Sequence, residues 1–300
     1  MSNGGKMRKL SYTFIRLLSR LPFRVLYALS DATFYPLYYL ARYRRKIVRK
    51  NLVESFPQLS HSEIEALEKK FYHFFCDLIF ESCKMATISP DEIKRRMHFT
   101  NFHIANEMLA KGQSVAYFIG HFCNWEWMSS SGLWFENGMV VAQVYHKLGN
   151  VTMDRVIRQM RERFGSECVE MRQTARYMVR EKSGGKPCNI ALIADQSPRR
   201  KDIKHYTQFM NHTVPALVGP EKMVKHFGCA PLFVTVRRVK RGYYEVDFSL
   251  LSDDASSLPD YELTDLYYRR LQEEIQKQPE CYLWTHNRFR YALPQKPDTE

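Results

Sequence analysis

Two uninterrupted apolar runs, Val115–Ile119 and Ile190–Ala194, each stop abruptly at residues able to do chemistry, Gly120-His121 and Asp195-Gln196. Runs of this length without a charge read as buried strands. Around them the apolar residues recur at helical spacing. Ser60 with Glu63 forms a capping box, and Ile64, Leu67, Phe71, Phe74, Phe75, Leu78 and Ile79 then mark a helix over 61–86. Further helices are expected over 104–111, 125–135, 151–164, 174–182 and 260–277, with another opened by Pro215 and running to His226. Strands are expected over 139–145, 231–239 and 243–250. This alternation predicts an α/β fold, a mixed and largely parallel sheet covered by helices, with no linker to divide residues 60–300.

Ligands of open α/β sheets gather outside the carboxyl ends of the strands. His121 with Glu126, and Asp195 with Gln196, fall at two such ends and can share one cleft. A neutral imidazole suits proton abstraction near pH 7, and a carboxylate can fix its tautomer and stabilise its charged form. Residues five apart on a regular helix point ~140° away from each other. His121 is therefore expected in the turn before the helix, with Glu126 in the first turns reaching back to orient the ring. The helix N-terminus would lower the imidazole pKa and Glu126 would raise it. The spacing alone is a weak signal, since a structural histidine is the commoner case among ten. For Asp195 and Gln196 the alternative to shaping the cleft is a plain strand-terminal turn.

Charge is placed unevenly. Of the net +13, residues 1–50 carry twelve cations (Lys6, Arg8, Lys9, Arg16, Arg20, Arg24, Arg42, Arg44, Arg45, Lys46, Arg49 and Lys50) against Asp31 alone. Basic segments also occur in nucleic-acid binders, but this one surrounds a greasy centre, VLYALSDATFYPLYYLA over residues 25–41, with one charge and five Tyr or Phe rings. A span needs about 20 apolar residues. A helix in the headgroup region, or a short tilted insertion, fits better, with each nearby Lys or Arg contributing roughly 1 kcal/mol at an anionic membrane surface. The alternative is an amphipathic helix packed on its own domain. Residues 1–57 thus read as a membrane anchor and 58–300 as the catalytic domain. Scattered cysteines without a C-x-x-C pair and the lack of a cleavable signal peptide place the bulk of the protein in the cytoplasm.

Gly120-His121-Phe122-Cys123-Asn124-Trp125-Glu126 resembles the signature of the His-x4-Asp/Glu glycerolipid-type acyltransferase superfamily, and its Asn-Trp-Glu ending is similar to the branch of late (secondary) lipid A acyltransferases. The likeness runs along the chain: Tyr39 and Tyr43 to Lys46, Arg49 to Leu52, Phe56-Pro57, then Val144-Tyr145, Asn150, Asp154, Arg161 and Arg163. It continues through Asp195-Gln196, Phe209, Gly219, Trp284, His286, Arg288 and Phe289. Asn211 departs from the family's usual glycine, and His146-Lys147 from its usual arginine.

The resemblance implies a membrane-bound O-acyltransferase at the cytoplasmic face of the inner (plasma) membrane. It would pass a fatty acyl group from an acyl-carrier-protein thioester to a hydroxyl of a lipid A precursor, with no cofactor and no nucleic-acid partner. His121 would be the general base and Glu126 its partner. Arg161 and Arg163 would hold acceptor phosphates or stabilise oxyanion charge, whereas Arg155 and Arg158 lack that support and a solvated face is their alternative. His286 and Arg288 read as architecture, and Cys123 as a packing residue rather than a nucleophile. No metal-ligand, serine-hydrolase, dinucleotide or P-loop motif is present. Two other readings stay open: the same chemistry on another glycolipid or aminolipid, including from acyl-coenzyme A, and a non-catalytic basic membrane-surface protein.

Overall fold

The computed structural model describes residues 13–136 and 138–294 of the chain. Lys6, Arg8 and Lys9 of the basic set lie outside the described residues. The strands are β1 (Met97–Phe99), β2 (Val115–Ile119), β3 (Ala142–Tyr145), β4 (Glu167–Glu170), β5 (Asn189–Ile193), β6 (Tyr206–Phe209), β7 (His212–Pro215), β8 (Ala230–Lys240) and β9 (Tyr243–Leu250). Seven form one sheet in the order β1-β9-β8-β2-β5-β3-β4, and β6 and β7 pair as a separate hairpin. β2 runs parallel to β5 and β8, and β3 parallel to β4 and β5. Among the described residues only the β8–β9 pair is antiparallel within the sheet. The fold is therefore α/β with a mixed, mostly parallel sheet flanked by helices.

β2 is buried along its whole length, as its lack of polar residues requires. Its register against β5 sets Ile119 beside Ile193. Two residues further along each chain stand His121 and Asp195, so strand pairing alone delivers both to one point. The helix Glu262–Lys277 secures that point. Its consecutive Tyr267 and Tyr268 donate hydroxyl hydrogen bonds of 2.8 Å to the carbonyls of Ile119 and Ala194, at the ends of the two strands. Leu271 of the same helix lies so near Gly120 that a Cβ there would stand 2.6 Å from its Cδ1. Any side chain at 120 would force Leu271 to shift.

Two expected helices are placed differently. Residues 125–135 form a 3-10 segment, Trp127–Leu133, and Glu126 precedes it. The run Ser129-Ser130-Ser131-Gly132 is poor in helix formers, and a Cβ on Gly132 would meet the Phe164 carbonyl oxygen at 2.0 Å. Pro215 ends β7; the helix begins at Gly219, with Pro220 in its first turn. β1, β4 and the β6–β7 hairpin carry no clear apolar pattern. At the tip of that hairpin Met210 and Asn211 have φ of 50° and 65°. Asparagine tolerates the left-handed region better than most residues, so Asn211 can take the place of the glycine expected here.

The N-terminal apolar stretch is a helix, Phe23–Tyr35, continued by a π-helical turn over Pro36–Leu40. Pro36 brings no N–H to the ladder, and the Ala41 amide reaches back to its carbonyl at 2.8 Å. Leu26, Ser30, Phe34 and Tyr38, one turn apart, form a buried stripe. Ser30 donates to Asp77 at 2.8 Å, and Arg241 bridges Asp31 and Asp77. The opposite side leaves large apolar groups exposed, notably Tyr35 (62%) and Leu40 (81%). No helix among the described residues is long and apolar enough to cross a membrane. Residue 57 lies between two helices, Arg45–Ser55 and His61–Lys84, that contribute to one apolar cluster. Asn51 ties this region to the C-terminal segment by donating to the carbonyls of Trp284 and His286, both at 2.8 Å.

Candidate active site

Beyond β2 the chain turns sharply instead of entering a helix. The turn is held from outside by the C-terminal segment: the Cys123 amide donates to the Cys281 carbonyl at 2.9 Å and the Leu283 amide to the His121 carbonyl at 3.0 Å. Cys123 adopts φ 51°, a left-handed conformation that costs a non-glycine residue energy. Its side chain is fully buried, and burial pushes the thiol pKa well above its ordinary value. A buried, protonated thiol suits packing and not nucleophilic attack.

The imidazole of His121 stands between two groups from the end of β5. Nδ1 is 2.7 Å from Asp195 Oδ1, and Nε2 is 3.3 Å from the Gln196 amide nitrogen. The other oxygen of Asp195 accepts the His121 backbone amide at 3.1 Å, so one carboxylate fixes both the ring and the chain that carries it. The His121 side chain is 19% exposed and Asp195 only 1%. The ring can meet a substrate; the acid cannot. With Nδ1–H donating to Asp195, the Nε2 lone pair faces outward toward the Gln196 amide.

Glu126 does not take the place beside the ring that its spacing suggests. Its carboxylate is gripped by both Nε and Nη2 of Arg161, at 2.9 and 2.7 Å, a fork that matches its two oxygens. The partner at Nδ1 is Asp195. A regular helix after His121 would have let Glu126 fold back; the 3-10 segment does not start until Trp127. No helix terminus therefore governs the imidazole pKa. Burial opposes charge on the ring, but the adjacent Asp195, with Glu126 behind it, outweighs burial and the Arg161 charge and raises the pKa. Asp195 responds in the opposite sense: despite its burial, His121 and Arg288 hold its pKa below the ordinary range.

Arg161 thus joins the site through Glu126, whereas Arg163 turns elsewhere. Its guanidinium donates to the backbone carbonyls of Met85 and Ile88, the latter at 3.2 Å. Arg158 pairs with Glu162 on its own helix. Two residues read as architecture do hold the Asp195 turn. His286 Nε2 accepts the Ser197 amide at 3.3 Å, and burial lowers its pKa to about 4, keeping it neutral. Arg288, 1% exposed, donates to Ser197 Oγ and the Pro215 carbonyl, both at 3.1 Å. Among the described residues no group of three His, Cys, Asp or Glu side chains stands together where a metal ion could be held.

Beside this constellation a small cavity of about 50 Å³ opens along the sheet. Ile119 and Ile193, the last residues of β2 and β5, line it, with Ala191, Val144, Phe102 and Phe248 further on. Trp125 also lines it and sets its ring edge-on to His121, 5.2 Å between centroids. Arg161 is the charged side chain in the wall. A narrow apolar space near an imidazole is suited to a hydrocarbon chain.

Residues 7–291 match the family model described as bacterial lipid A biosynthesis acyltransferase. The chain belongs to that family. This acyltransferase is 22% identical over 245 residues to the lipid A biosynthesis myristoyltransferase of Escherichia coli (strain K12), covering 80% of this chain and 73% of that one. It has the same identity and coverage against lipid A biosynthesis acyltransferase 1 of Shigella flexneri. The chain is an enzyme of acyl transfer in lipid A biosynthesis, and the site must be read with that chemistry in mind.

Proposed function

We propose that this acyltransferase moves a fatty acyl group from an acyl-carrier-protein thioester to the hydroxyl of a 3-hydroxyacyl chain on a lipid A precursor, with His121 as general base. The observation that carries the reading is an accessible imidazole, clamped by a buried carboxylate and in contact with Trp125, which lines an apolar cavity. The acceptor hydroxyl displaces the Gln196 amide at Nε2 and gives its proton to the ring while its oxygen attacks the thioester carbonyl carbon. The resulting oxyanion collapses, the C–S bond breaks, and the imidazolium returns the proton to the leaving thiolate. A thioester is already activated, so no acyl-enzyme is required. Asp195 stabilises the imidazolium. Arg161 spends Nε and Nη2 on Glu126, which leaves Nη1 to face developing negative charge.

The acyl chain is assigned to the cavity. Ala191→Phe should shift donor preference toward shorter chains. Two excluded methylenes, at about 0.8 kcal/mol each, already amount to about a tenfold loss in kcat/KM for the longest accepted donor. A series of acyl donors of stepped length measures this, and an unchanged length profile would remove the cavity from the reading.

An acidic carrier protein suits the exposed Arg200, Lys201 and Lys204, which follow the Asp195-Gln196 turn. Attachment to the cytoplasmic face of an anionic inner membrane is supported by the outward apolar side of the N-terminal helix, flanked by Arg16, Arg20 and Arg42. Mass spectrometry of lipids from cells with and without the gene tests the acceptor. Lipid A lighter by one acyl chain without the gene is the expected result. Unchanged lipid A with another lipid class missing would move the chemistry to a different amphiphile.

A further inference from the structure

Glu81 lies in the helix His61–Lys84 and is 1% exposed, yet the chemistry proposed above makes no use of it. Its side chain accepts three hydrogen bonds from three separate elements. Tyr27 of the N-terminal helix donates to Oε1 at 2.8 Å, and Asn124 Nδ2 and Tyr244 of β9 donate to Oε2 at 2.7 and 2.8 Å. All three donors are neutral. The charged groups around Glu81 include Asp77, one turn earlier on its own helix, Arg238 of β8, which is already bound to Asp77 at 3.0 Å, and Arg96, which acts on the Tyr27 hydroxyl. Burying a carboxylate without a cation in contact costs several kcal/mol on general grounds. A buried acid of this kind needs a reason.

Asn124 supplies one. It sits inside the turn between His121 and Glu126, and its Oδ1 accepts the Trp127 amide at 3.0 Å while its Nδ2 is held by Glu81. The Glu81 backbone carbonyl also accepts the Trp127 indole N–H at 2.9 Å. The turn begins with a left-handed Cys123 and lacks the regular hydrogen bonds of a helix, so its shape depends on outside restraints. We propose that Glu81 is a positioning residue for acyl transfer, holding the His121–Glu126 turn through Asn124 and tying it to the N-terminal helix through Tyr27. The inference rests on His121 and its turn being the reacting centre.

Only the ionised carboxylate accepts all three donors at once; the acid carries a proton that must itself be donated. Burial pushes the Glu81 pKa up to about 7, against the pull of Tyr244, Tyr27 and Asn124. Burial also keeps the Tyr27 and Tyr244 phenols protonated, as donors must be. The ionised form is present above that value and lost as pH falls through it. Glu81 therefore adds a second titrating group to the acidic limb of activity, beside His121.

The test uses the purified full chain in mixed micelles, with kcat and KM followed across neutral pH and thermal melting as a check on folding. Glu81→Gln should lower kcat by about tenfold to a hundredfold, the scale of a small misplacement of a catalytic group. KM for the donor should stay unchanged, and the limb due to Glu81 should be absent. Tyr27→Phe and Tyr244→Phe each remove a donor to the anion and should move that limb to higher pH. A role in packing alone would lower melting temperature without moving the limb, and that result would overturn the proposal. So would a folded Glu81→Gln enzyme with kcat within about twofold of the parent. His121→Ala run alongside separates the failures: if it too is fully active, the reading of the reacting centre falls first.

Discussion

His121→Ala is expected to lower kcat by about 10²–10⁴-fold, the range supplied by a positioned general base, equivalent to roughly 3–5 kcal/mol of barrier. In the proposed reaction the nucleophile is an alcohol, which gains little reactivity until its proton is withdrawn as it attacks. The cavity and Arg161 survive the substitution, so donor binding and part of the charge stabilisation should persist and KM for the donor should change little. Stability should fall modestly. Asp195 loses its bond to Nδ1 but keeps the His121 amide and the field of Arg288. Truncation that strips one partner from a buried acceptor costs about 1–3 kcal/mol. Initial-rate measurements on folded, micelle-bound variant decide the matter: an undiminished rate leaves no general base at this position.

Where the chain pattern was strong, it located the elements well. The helix His61–Lys84 follows from its capping box and apolar period, and β2 and β5 from runs without a single charge. The adjacency of those two strands was not legible, because strand order is decided by crossovers and not by local residues. That adjacency decides which acid meets His121. Spacing along the chain points to Glu126; the β2–β5 register points to Asp195, seventy-four positions away. The same limit hid Glu81, whose neighbours in sequence look like any helix interior and whose partners come from residues 27, 124 and 244. Arg161 and Arg163 look equivalent in the string Arg-Glu-Arg, yet one lies in the last turn of a helix facing Glu126 and the other passes beyond it to backbone carbonyls.

Two ion pairs now stand side by side at the rim of the sheet, His121 with Asp195 and Arg161 with Glu126, and they divide the work differently from a single His–Glu dyad. A guanidinium bound in a fork by Glu126 is fixed in place and partly neutralised, which limits its repulsion of a protonated imidazole nearby. Glu126 then acts on the ring at a distance, as a secondary source of its raised pKa, and in the proposed reaction would reach the substrate only through Arg161. Both carboxylates favour the charged ring, but Asp195 is the one that contacts it, holding Nδ1 while the Gln196 amide faces Nε2.

Asp195→Asn separates these roles. The amide preserves volume but offers one acceptor where two are needed, since the ring N–H and the His121 backbone N–H both donate to this group. One of them must face an NH₂. The ring is then free to adopt the other tautomer, with Nε2 protonated and useless as a base. The same acid-to-amide change in a serine-protease triad costs about 10⁴ in kcat, and a loss of about 10²–10⁴ is expected here. The pH profile should shift as well. Burial lowers the His121 pKa and Asp195 raises it, with a net rise in the parent. Removing that charge lets burial dominate, so the His121 limb, on which activity rises with pH, moves to lower pH. The stability linked to His121 has the matching sign. With its pKa raised on folding, that contribution is fully present below the unfolded value and is lost as pH rises through the folded one. The part of the melting-temperature gap that comes from His121 should accordingly be widest in mild acid and close as pH rises. Glu126→Gln, acting from farther away, should shift the His121 limb in the same direction by less. If instead Glu126→Gln produced the larger shift and Asp195→Asn left the limb in place, the orienting role would return to Glu126 and the ring contact at Asp195 would be structural.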